Sequence, residues 1–406
     1  MRKLFVLAHR YVGLVIAIFI IIAGLTGMVL AFYWELDGWV NRDIMQVESP
    51  PPDAKLLSPV VLREKVQQQF PDAWVNRVNL QVKENHASIF ALRSPQDPQH
   101  QHITSFIYDE AFVNPYTGKV IAARKWGDIS QGMINLIPFI YTLHFELALG
   151  ELGTYVFGIV ALLWTMDCFV GAYLTFPASR KDKNRHHASW VQAWKKSWRV
   201  RWNKGTFKLN FDLHRAGGLW IWAMLLVVAW SSVGFNLNQV YSPAMSAVFD
   251  FQVADERIAT LQKPQSRPLI DFGIALVKAE QLMQAEAKRN DFTVINSERL
   301  SYDPYRAVYQ YRVKTSLDIN EKVGQTAIYL DANTGQQLAI FLPSTKANGD
   351  TVNSWLMYLH TAKVWGLAYQ VFVLCVGLMV VVLSATGIYI WWKKHKSKAK
   401  AMALLS

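Results

Sequence analysis

Cysteine is nearly absent from this 406-residue sequence. Only Cys168 and Cys375 occur, both deep within apolar runs, where a small packing side chain is the ordinary interpretation. There is no CxxC pair and no CxxCH motif, which excludes a thiolate metal site and a covalently attached c-type haem. A GxGxxG fingerprint is missing as well, so no dinucleotide-binding fold is predicted.

Acidic residues are also scarce, with 30 Asp and Glu against 42 Lys and Arg and a formal net charge of +12. The excess is local, because residues 178–213 hold ten Lys or Arg against two Asp, and a basic run follows at 393–396. By the positive-inside rule, both termini and the 178–213 loop are predicted to be cytoplasmic, and loops 35–140 and 243–354 to lie outside. Membrane topology therefore accounts for the charge, and no nucleic-acid partner is predicted.

Apolar sequence is abundant, at 52% of the chain, and it is concentrated in four runs at 12–34, 155–176, 219–237 and 368–392. Each run is about long enough to cross a hydrocarbon core of roughly 30 Å. The first is too long for the apolar region of a signal peptide and ends in aromatic residues rather than a small-residue cleavage site, so a retained anchor is predicted. These runs predict a four-transmembrane-helix bundle in a lipid bilayer.

The two long outer loops show the same order of elements. In the first, Ser58 as N-cap and Pro59 predict a helix over 60–70. Alternating or short apolar runs then predict strands near 78–82, 89–92, 106–108 and 119–121, with a turn at 115–118. The second loop predicts a helix over 270–287, strands at 308–313 and 328–330, and a turn at 331–335.

The chain is therefore predicted to be a tandem duplication of span, α+β module and span. The turn residues Thr117-Gly118 and Thr334-Gly335 lie 217 positions apart, close to the offsets found in the helices below. The predicted parts are transmembrane helix 1 at 1–34, module 1 at 35–140, an interfacial segment and helix 2 at 141–177, the basic loop at 178–213, helix 3 at 214–242, module 2 at 243–354, an interfacial segment and helix 4 at 355–392, and a cytoplasmic tail at 393–406.

The basic loop contains tryptophans at every fourth position. Trp190, Trp194, Trp198 and Trp202 stand among Lys and Arg residues, which predicts a helix with an aromatic stripe lying in the membrane interface. A nucleic-acid stacking platform uses the same residue types. Transmembrane segments on both sides of the loop favour the lipid interpretation.

Four histidines stand at the ends of the apolar runs: His9, His144, His214 and His360. His9 and His214 are 205 positions apart, whereas His144 and His360 are 216 apart, an offset shared by Gly171 with Gly387 and Tyr173 with Tyr389. Topology places the first two at the cytoplasmic side and the other two outside. A pseudo-two-fold axis between the halves would make the members of each pair face each other.

Two neutral imidazoles that face each other suit the axial coordination of a haem iron, and two such pairs predict two haem b groups. Arg10 and Arg215, each directly after its histidine, are predicted to bind haem propionates. Small residues would let a flat cofactor approach the helix backbone, and the candidates are Gly13, Gly217 and Gly218. Zinc fits less well, because it usually takes three or four closely spaced ligands.

Other polar residues carry weaker signals. Asp167 lies near the middle of the second span, where it would serve a proton or ion path or be hydrogen-bonded to Ser231, Ser232 or an indole. His100, His102, His186 and His187 are interpreted as solvated, although either of the last two is an alternative ligand for the inner haem.

The ordered set of features resembles the PepSY-associated transmembrane family, with PepSY-like modules that end in the similar stretches 112–118 and 329–335, and helices that open with His-Arg or Leu-His. The resemblance implies a bacterial inner-membrane protein similar to di-haem ferric-siderophore reductases. It also implies that His9 and His214 bind the inner haem, that His144 and His360 bind the outer one, and that Fe(III) is reduced to Fe(II) in the periplasm for iron uptake. The electron donor would be a cytoplasmic reductant or a quinol.

Two other functions are compatible with the sequence. A non-catalytic membrane protein could use its outer modules to bind or regulate a periplasmic peptidase or peptide, but it would have no need of one histidine per helix. An iron or siderophore transporter component would call for more polar residues in the spans than Asp167, Thr26, Ser231, Ser384 and Thr386 provide.

Overall fold

The computed structural model describes residues 1–47, 54–94, 107–178, 189–253, 258–344 and 347–403. The chain forms two compact units. The helical unit comprises Met1–Phe32, Ile140–Met245 and Leu359–Ser406, and the sheet unit comprises Tyr33–Phe139 and Ser246–Tyr358. The proline cluster at 50–52, His100, His102, His186 and His187 lie outside the described residues.

The described residues form thirteen α-helices and eight strands. The helices are α1 (Arg2–Leu30), α2 (Tyr33–Val40), α3 (Arg42–Met45), α4 (Pro59–Gln69), α5 (Leu136–Glu146), α6 (Glu151–Thr175), α7 (Trp190–Lys195), α8 (Thr206–Trp220), α9 (Trp222–Asn236), α10 (Asn238–Ser246), α11 (Phe272–Arg289), α12 (Asn348–His360) and α13 (Gly366–Ala403). The strands are β1 (Arg77–Asn79), β2 (Ser88–Ala91), β3 (Glu110–Val113), β4 (Val120–Arg124), β5 (Val294–Asp303), β6 (Val308–Thr315), β7 (Thr326–Asp331) and β8 (Gln337–Phe341).

Three of the predicted membrane spans are single helices, because α1, α6 and α13 are each long and apolar enough to cross a membrane. The span predicted over 219–237 is instead divided between α8 and α9, which meet at an angle of 71°. Ile221 breaks the helix with φ −113° and ψ 14°, shortly after Gly217 and Gly218, which lower helix propensity. The described residues thus contain three such helices, or four spans if the bent pair counts as one.

The long helices present apolar side chains outward and small residues inward. On α1, Val15 and Ile18 are 65% and 57% exposed, as expected of residues that face lipid. Where α1 crosses α13, a Cβ on Gly24 would lie 3.1 Å from the carbonyl oxygen of Gly377, and a Cβ on Gly377 would lie 3.0 Å from that of Gly24. Glycine at both positions therefore permits close packing of the two backbones.

The sheet unit contains two antiparallel sheets. The larger has the strand order β1-β5-β6-β7-β8, and α11 packs on one of its faces. The smaller has the order β2-β3-β4 and packs against α4. β1 comes from the first outer loop but pairs with β5 of the second, with Val78 opposite Leu300. The two loops, predicted as separate modules, thus share one sheet and cluster in one compact unit.

A buried ion cluster ties α2 to the smaller sheet. Arg124 at the end of β4 is 2% exposed, and its guanidinium donates to Asp37 at 3.1 Å and to Glu110 at 2.8 Å. It also donates to the carbonyl oxygen of Ile134. Burial raises the pKa of Glu110, against the opposing effect of Arg124. Three charged side chains are thus held in one hydrogen-bonded set inside the unit.

Several predicted elements are confirmed with small shifts at their ends. The side chain of Ser58 caps α4 by accepting from the backbone N–H of Val61 at 3.3 Å. Predicted strands correspond to β1, β2, β4, β6 and β7, and α11 occupies the second predicted helix. The strand predicted at 106–108 is wrong for its described residues, 107 and 108, because the strand there begins at Glu110. β5 and β8 were not predicted.

The tryptophan stripe does not form one continuous helix. α7 carries Trp190 and Trp194, a 3-10 turn carries Trp198, and Trp202 lies beyond its end. The rings of the first three nevertheless follow one another at centroid distances of 5.5 and 5.4 Å. Phe176 at the end of α6 contacts the first two of them at 5.4 Å each.

Candidate functional site

His9 and His214 face each other within the helical unit. Their ring centroids are 5.9 Å apart, with 60° between the ring planes. His9 comes from the first third of α1, and His214 from α8. The pairing predicted from the 205-residue offset is therefore present in the structure.

His144 and His360 form the second facing pair, with centroids 6.3 Å apart and rings at 89°. They lie on the short helices α5 and α12 rather than on the long spans that follow, α6 and α13. The segments predicted to be interfacial before helices 2 and 4 thus contain separate short helices, and their place at the membrane interface stays a prediction. Phe235 of α9 contacts the His360 ring at 5.3 Å.

The Nδ1 atom of every one of these histidines is held by an acceptor. His9 Nδ1 lies 2.8 Å from a carboxylate oxygen of Asp167, and His214 Nδ1 lies 2.9 Å from the carbonyl oxygen of Leu383. A carboxylate and a backbone carbonyl oxygen only accept hydrogen bonds. Both Nδ1 atoms must therefore carry the proton.

In the second pair, Nδ1 of each histidine is also protonated, and here the acceptors are hydroxyl groups. Thr26 Oγ1 donates to the carbonyl oxygen of Ile22 at 2.6 Å, so it accepts from His144 Nδ1 at 2.9 Å. Ser231 Oγ donates to a carbonyl oxygen of its own helix at 2.7 Å and accepts from His360 Nδ1 at the same distance. A neutral imidazole with a protonated Nδ1 keeps its lone pair on Nε2.

The four Nε2 lone pairs are thus available for a metal. Among the residues that the structure describes, no hydrogen bond uses an Nε2 atom of these histidines. A metal-bound histidine usually donates its other ring N–H to a carboxylate, carbonyl or similar acceptor, which fixes the ring and raises its basicity. Each of the four side chains has this arrangement.

Glycines let three of the rings lie against neighbouring helices. A Cβ at Gly27 would lie 3.1 Å from Cε1 of His144, and one at Gly387 would lie 3.2 Å from Cε1 of His214. At Gly171 the corresponding distance to His9 is 3.5 Å. Side chains at the first two positions would press on the rings, so these glycines help to set the ring positions.

The spacing of each pair fits an iron held between two imidazoles. Metal–nitrogen bonds of about 2 Å place the two Nε2 atoms about 4 Å apart, and each ring centroid lies about 1 Å further back, which gives roughly 6 Å. The observed distances of 5.9 and 6.3 Å agree with this value. In the described part of the chain, no group of three or more His, Cys, Asp or Glu is placed to hold a metal ion. Two-imidazole coordination is therefore what these sites offer.

The polar partners of the histidines follow the repeat. Thr26 and Ser231 are 205 positions apart, which is also the offset of His9 and His214. Thr26 accepts a hydrogen bond from His144, and Ser231 accepts one from His360. Asp167 and Leu383 are 216 apart and support His9 and His214. Asp167 thus contacts a histidine rather than Ser231, Ser232 or an indole. The sequence carries a signal for Thr26 and Ser231, because these two hydroxyl residues share the 205-residue offset of His9 and His214.

The predicted propionate ligands differ from each other. Arg215 donates to Asp212 and to the carbonyl oxygen of Lys196, both at 3.0 Å. Arg10 makes no hydrogen bond or ion pair with any described residue and is half-buried. It therefore has donors free for a carboxylate, whereas Arg215 would have to share its guanidinium with Asp212.

Two of the three glycines predicted to face a cofactor contact α13 instead. A Cβ on Gly217 would lie 3.0 Å from the sulfur of Met379, and one on Gly218 would lie 3.9 Å from Leu383. A Cβ on Gly13 would meet no described atom within 4 Å, so the approach of a cofactor at this position stays a prediction. Gly27, Gly171 and Gly387 are the glycines against the imidazoles.

The apolar helices and the facing histidines define a membrane protein with a candidate site at each of two levels. The family model for the PepSY-associated TM region matches residues 6–394, and the chain therefore belongs to this family. No match was found among curated proteins.

Proposed function

We propose that this protein is a haem-b oxidoreductase of the bacterial inner membrane that passes electrons across the bilayer and reduces ferric siderophore in the periplasm. Release of Fe(II) would then supply iron uptake. The observation that carries this proposal is the presence of two facing imidazole pairs whose Nε2 atoms are all free to bind a metal. When bound, each haem supplies a one-electron carrier.

The distance between the two levels supports transfer across a membrane. His9 and Thr26, which belong to different levels, are both on the continuous helix α1 and 17 residues apart. At 1.5 Å per residue they are separated by about 25 Å along the helix, close to the thickness of a hydrocarbon core. A single chain therefore offers a site near each end of this helix.

The chain's own residues would hold and tune the cofactors. His9 and His214 would bind one iron, and His144 and His360 the other. Their Nδ1 hydrogen bonds fix the rings, leave the Nε2 lone pairs free for iron and would strengthen the ligands. Arg10 would bind a propionate with charge-assisted hydrogen bonds, and Arg215 would do so in part.

The orientation in the membrane rests on the distribution of charge. The basic segment 178–213 and the basic C-terminal run favour a cytoplasmic location for both termini, with the sheet unit in the periplasm. The His9–His214 pair would then lie on the cytoplasmic side. Electrons from a cytoplasmic reductant or a quinol would enter there, and one electron would reduce each Fe(III) on the other side.

Absorption spectroscopy of protein purified after expression with ample haem tests the cofactor assignment. We expect Soret and α bands that respond to dithionite, and about two haems per chain. His9→Ala and His144→Ala should each lower the haem content to about one. The control His86→Ala alters an exposed histidine of the sheet unit and should keep both haems. A haem-free preparation would refute the proposal.

A reduction assay tests the substrate. Dithionite-reduced protein, freed of excess reductant, should be reoxidised by a ferric siderophore, with one Fe(II) captured by a ferrous chelator per electron released. His144→Ala should slow this reoxidation strongly. Equal rates with and without siderophore would show that the substrate is different, and binding of a peptide without any redox change would favour a non-catalytic role.

A further inference from the structure

Three arginines lie together on one face of the larger sheet. In the strand register, Arg299 of β5 is directly opposite Arg312 of β6, and Asn79 of β1 is opposite Arg299 on the other side. Arg77 lies two residues before Asn79 and therefore on the same face. We call Arg77, Arg299 and Arg312 the arginine patch.

The patch lies on the sheet face that points away from α11. The neighbours of these arginines in sequence, Val78, Leu300 and Tyr311, belong to the core formed with that helix. Successive side chains of a strand point to opposite faces, so the arginines project from the other side. Arg77 is exposed, and Arg299 and Arg312 are half-buried.

No carboxylate in the described residues forms an ion pair with the patch. None of the hydrogen bonds or ion pairs of the described chain involves the three guanidinium groups, and the Nε atoms of Arg299 and Arg312 are buried without a partner. Like charges directly opposite each other in a sheet are destabilising. The chain thus holds three cations together without a carboxylate in ion-pair contact, and the charge of Glu298 offsets their repulsion only in part.

Two acidic side chains in this region, Glu298 and Asp318, accept hydrogen bonds from other groups. Glu298 accepts from Gln81 at 3.4 Å and lies outside ion-pair distance of the arginines. Asp318 accepts from the backbone N–H groups of Thr315 and Gln325 and from two threonine hydroxyls. The surplus of positive charge is therefore open to an external anion.

We propose that the arginine patch binds an anionic ferric chelate whose outer oxygens are carboxylates. This inference rests on the proposed function, because it names the class of chelate that is reduced. In the strand register Arg77 is opposite Ser301, so Arg312 lies two strand spacings away and two residues further along, about 12 Å in all. This separation suits several separate carboxylates better than one compact phosphate. A guanidinium binds carboxylate in a two-pronged geometry, whereas a neutral hydroxamate chelate offers it no charged partner.

Calorimetric titration of the full-length, detergent-solubilised protein with gallium(III) citrate tests this site. Gallium(III) is not reduced under these conditions, so binding is measured independently of electron transfer. We expect Arg299→Gln and Arg312→Gln each to weaken binding at least about tenfold. Arg312→Lys keeps the positive charge but loses the two-pronged geometry of the guanidinium, so its affinity should lie between those of the wild type and Arg312→Gln. Arg289→Gln changes an exposed arginine paired with Glu286 and should bind as the wild type does.

The outcomes separate this inference from the proposed function. Equal affinity in all variants, with both haems present, would overturn the chelate site and leave the oxidoreductase assignment intact. Arginine-dependent binding in a protein that takes up no haem would support the anion site and overturn the oxidoreductase assignment. Inorganic phosphate that competes as tightly as gallium citrate would identify a phosphate or lipid-headgroup site and overturn the assignment to a carboxylate chelate.

Discussion

Removing the charge of Asp167 should change the redox potential of one of the two proposed haems and leave that of the other nearly unchanged. Its carboxylate is 2.8 Å from His9 Nδ1. Adding about 2.2 Å across the imidazole and about 2 Å for the metal bond places the charge about 7 Å from the proposed iron. At an effective dielectric constant of about 20, this charge favours the oxidised iron by about 2.4 kcal/mol.

For one electron, about 1.4 kcal/mol corresponds to a tenfold change in equilibrium constant and to about 59 mV. Asp167→Asn should therefore raise the potential of the His9–His214 haem by up to about 100 mV. The amide oxygen of asparagine still accepts from His9 Nδ1, so the ligand should stay in place. The other haem, about 25 Å away, should shift by about 30 mV at most.

Spectroelectrochemical titration of the α bands measures both potentials in one sample. The matched control is Thr386→Val, which removes a neutral acceptor at 3.2 Å from His214 Nδ1 but leaves the carbonyl oxygen of Leu383 in place. It should shift the potential by less than about 30 mV. A downward shift in Asp167→Asn, or equal shifts of both haems, would refute the reasoning.

Three further predictions follow from contacts described above. Gly27→Val should displace His144 and lower the haem content to about one per chain in a pyridine haemochrome assay, whereas Gly38→Val, at an open position of α2 in the sheet unit, should keep both haems; unchanged haem in Gly27→Val would contradict the packing argument. Arg124→Met should destabilise the sheet unit by about 3–5 kcal/mol in denaturant unfolding, because it leaves buried carboxylates without their cation, and a loss below about 1 kcal/mol would contradict this. Burial and the neighbouring arginines lower the pKa of Arg299 to about 9. Since this is below the unfolded value, the charged form costs stability below pH 9, and the cost falls as pH rises towards 12.5. Without added anion, Arg299→Gln should therefore raise the melting temperature at pH 7.5, by about 2–4 °C per kcal/mol, with a smaller gain above pH 9; no gain at pH 7.5 would count against this.

The pairing of the histidines was predictable because it depends on a repeat that the sequence displays directly. His9 and His214 share an offset with Gly13 and Gly218, so their equivalence did not require any knowledge of packing. The length of an apolar run likewise predicted three of the spans, since the membrane imposes a minimum length on a helix.

The break at Ile221 and the sharing of a sheet between the two outer loops were not predictable in this way. Both depend on contacts between distant segments, such as the pairing of Val78 with Leu300. The role of Asp167 was missed for a related reason. Its repeat counterpart is Leu383, whose backbone oxygen supplies the equivalent acceptor, so a comparison of side chains alone showed no equivalence.

α1 takes part in both levels, because it carries the candidate ligand His9 near one end and Thr26, which accepts a hydrogen bond from His144, further along. Its counterpart is divided between α8, with His214, and α9, with Ser231, and these two meet at 71°. The two levels are thus joined on one side by a single continuous helix and on the other by two helices with a bend between them. The separation of the two candidate sites along α1 is therefore set by the number of residues between His9 and Thr26, while the bend at Ile221 changes the direction of the chain between His214 and Ser231.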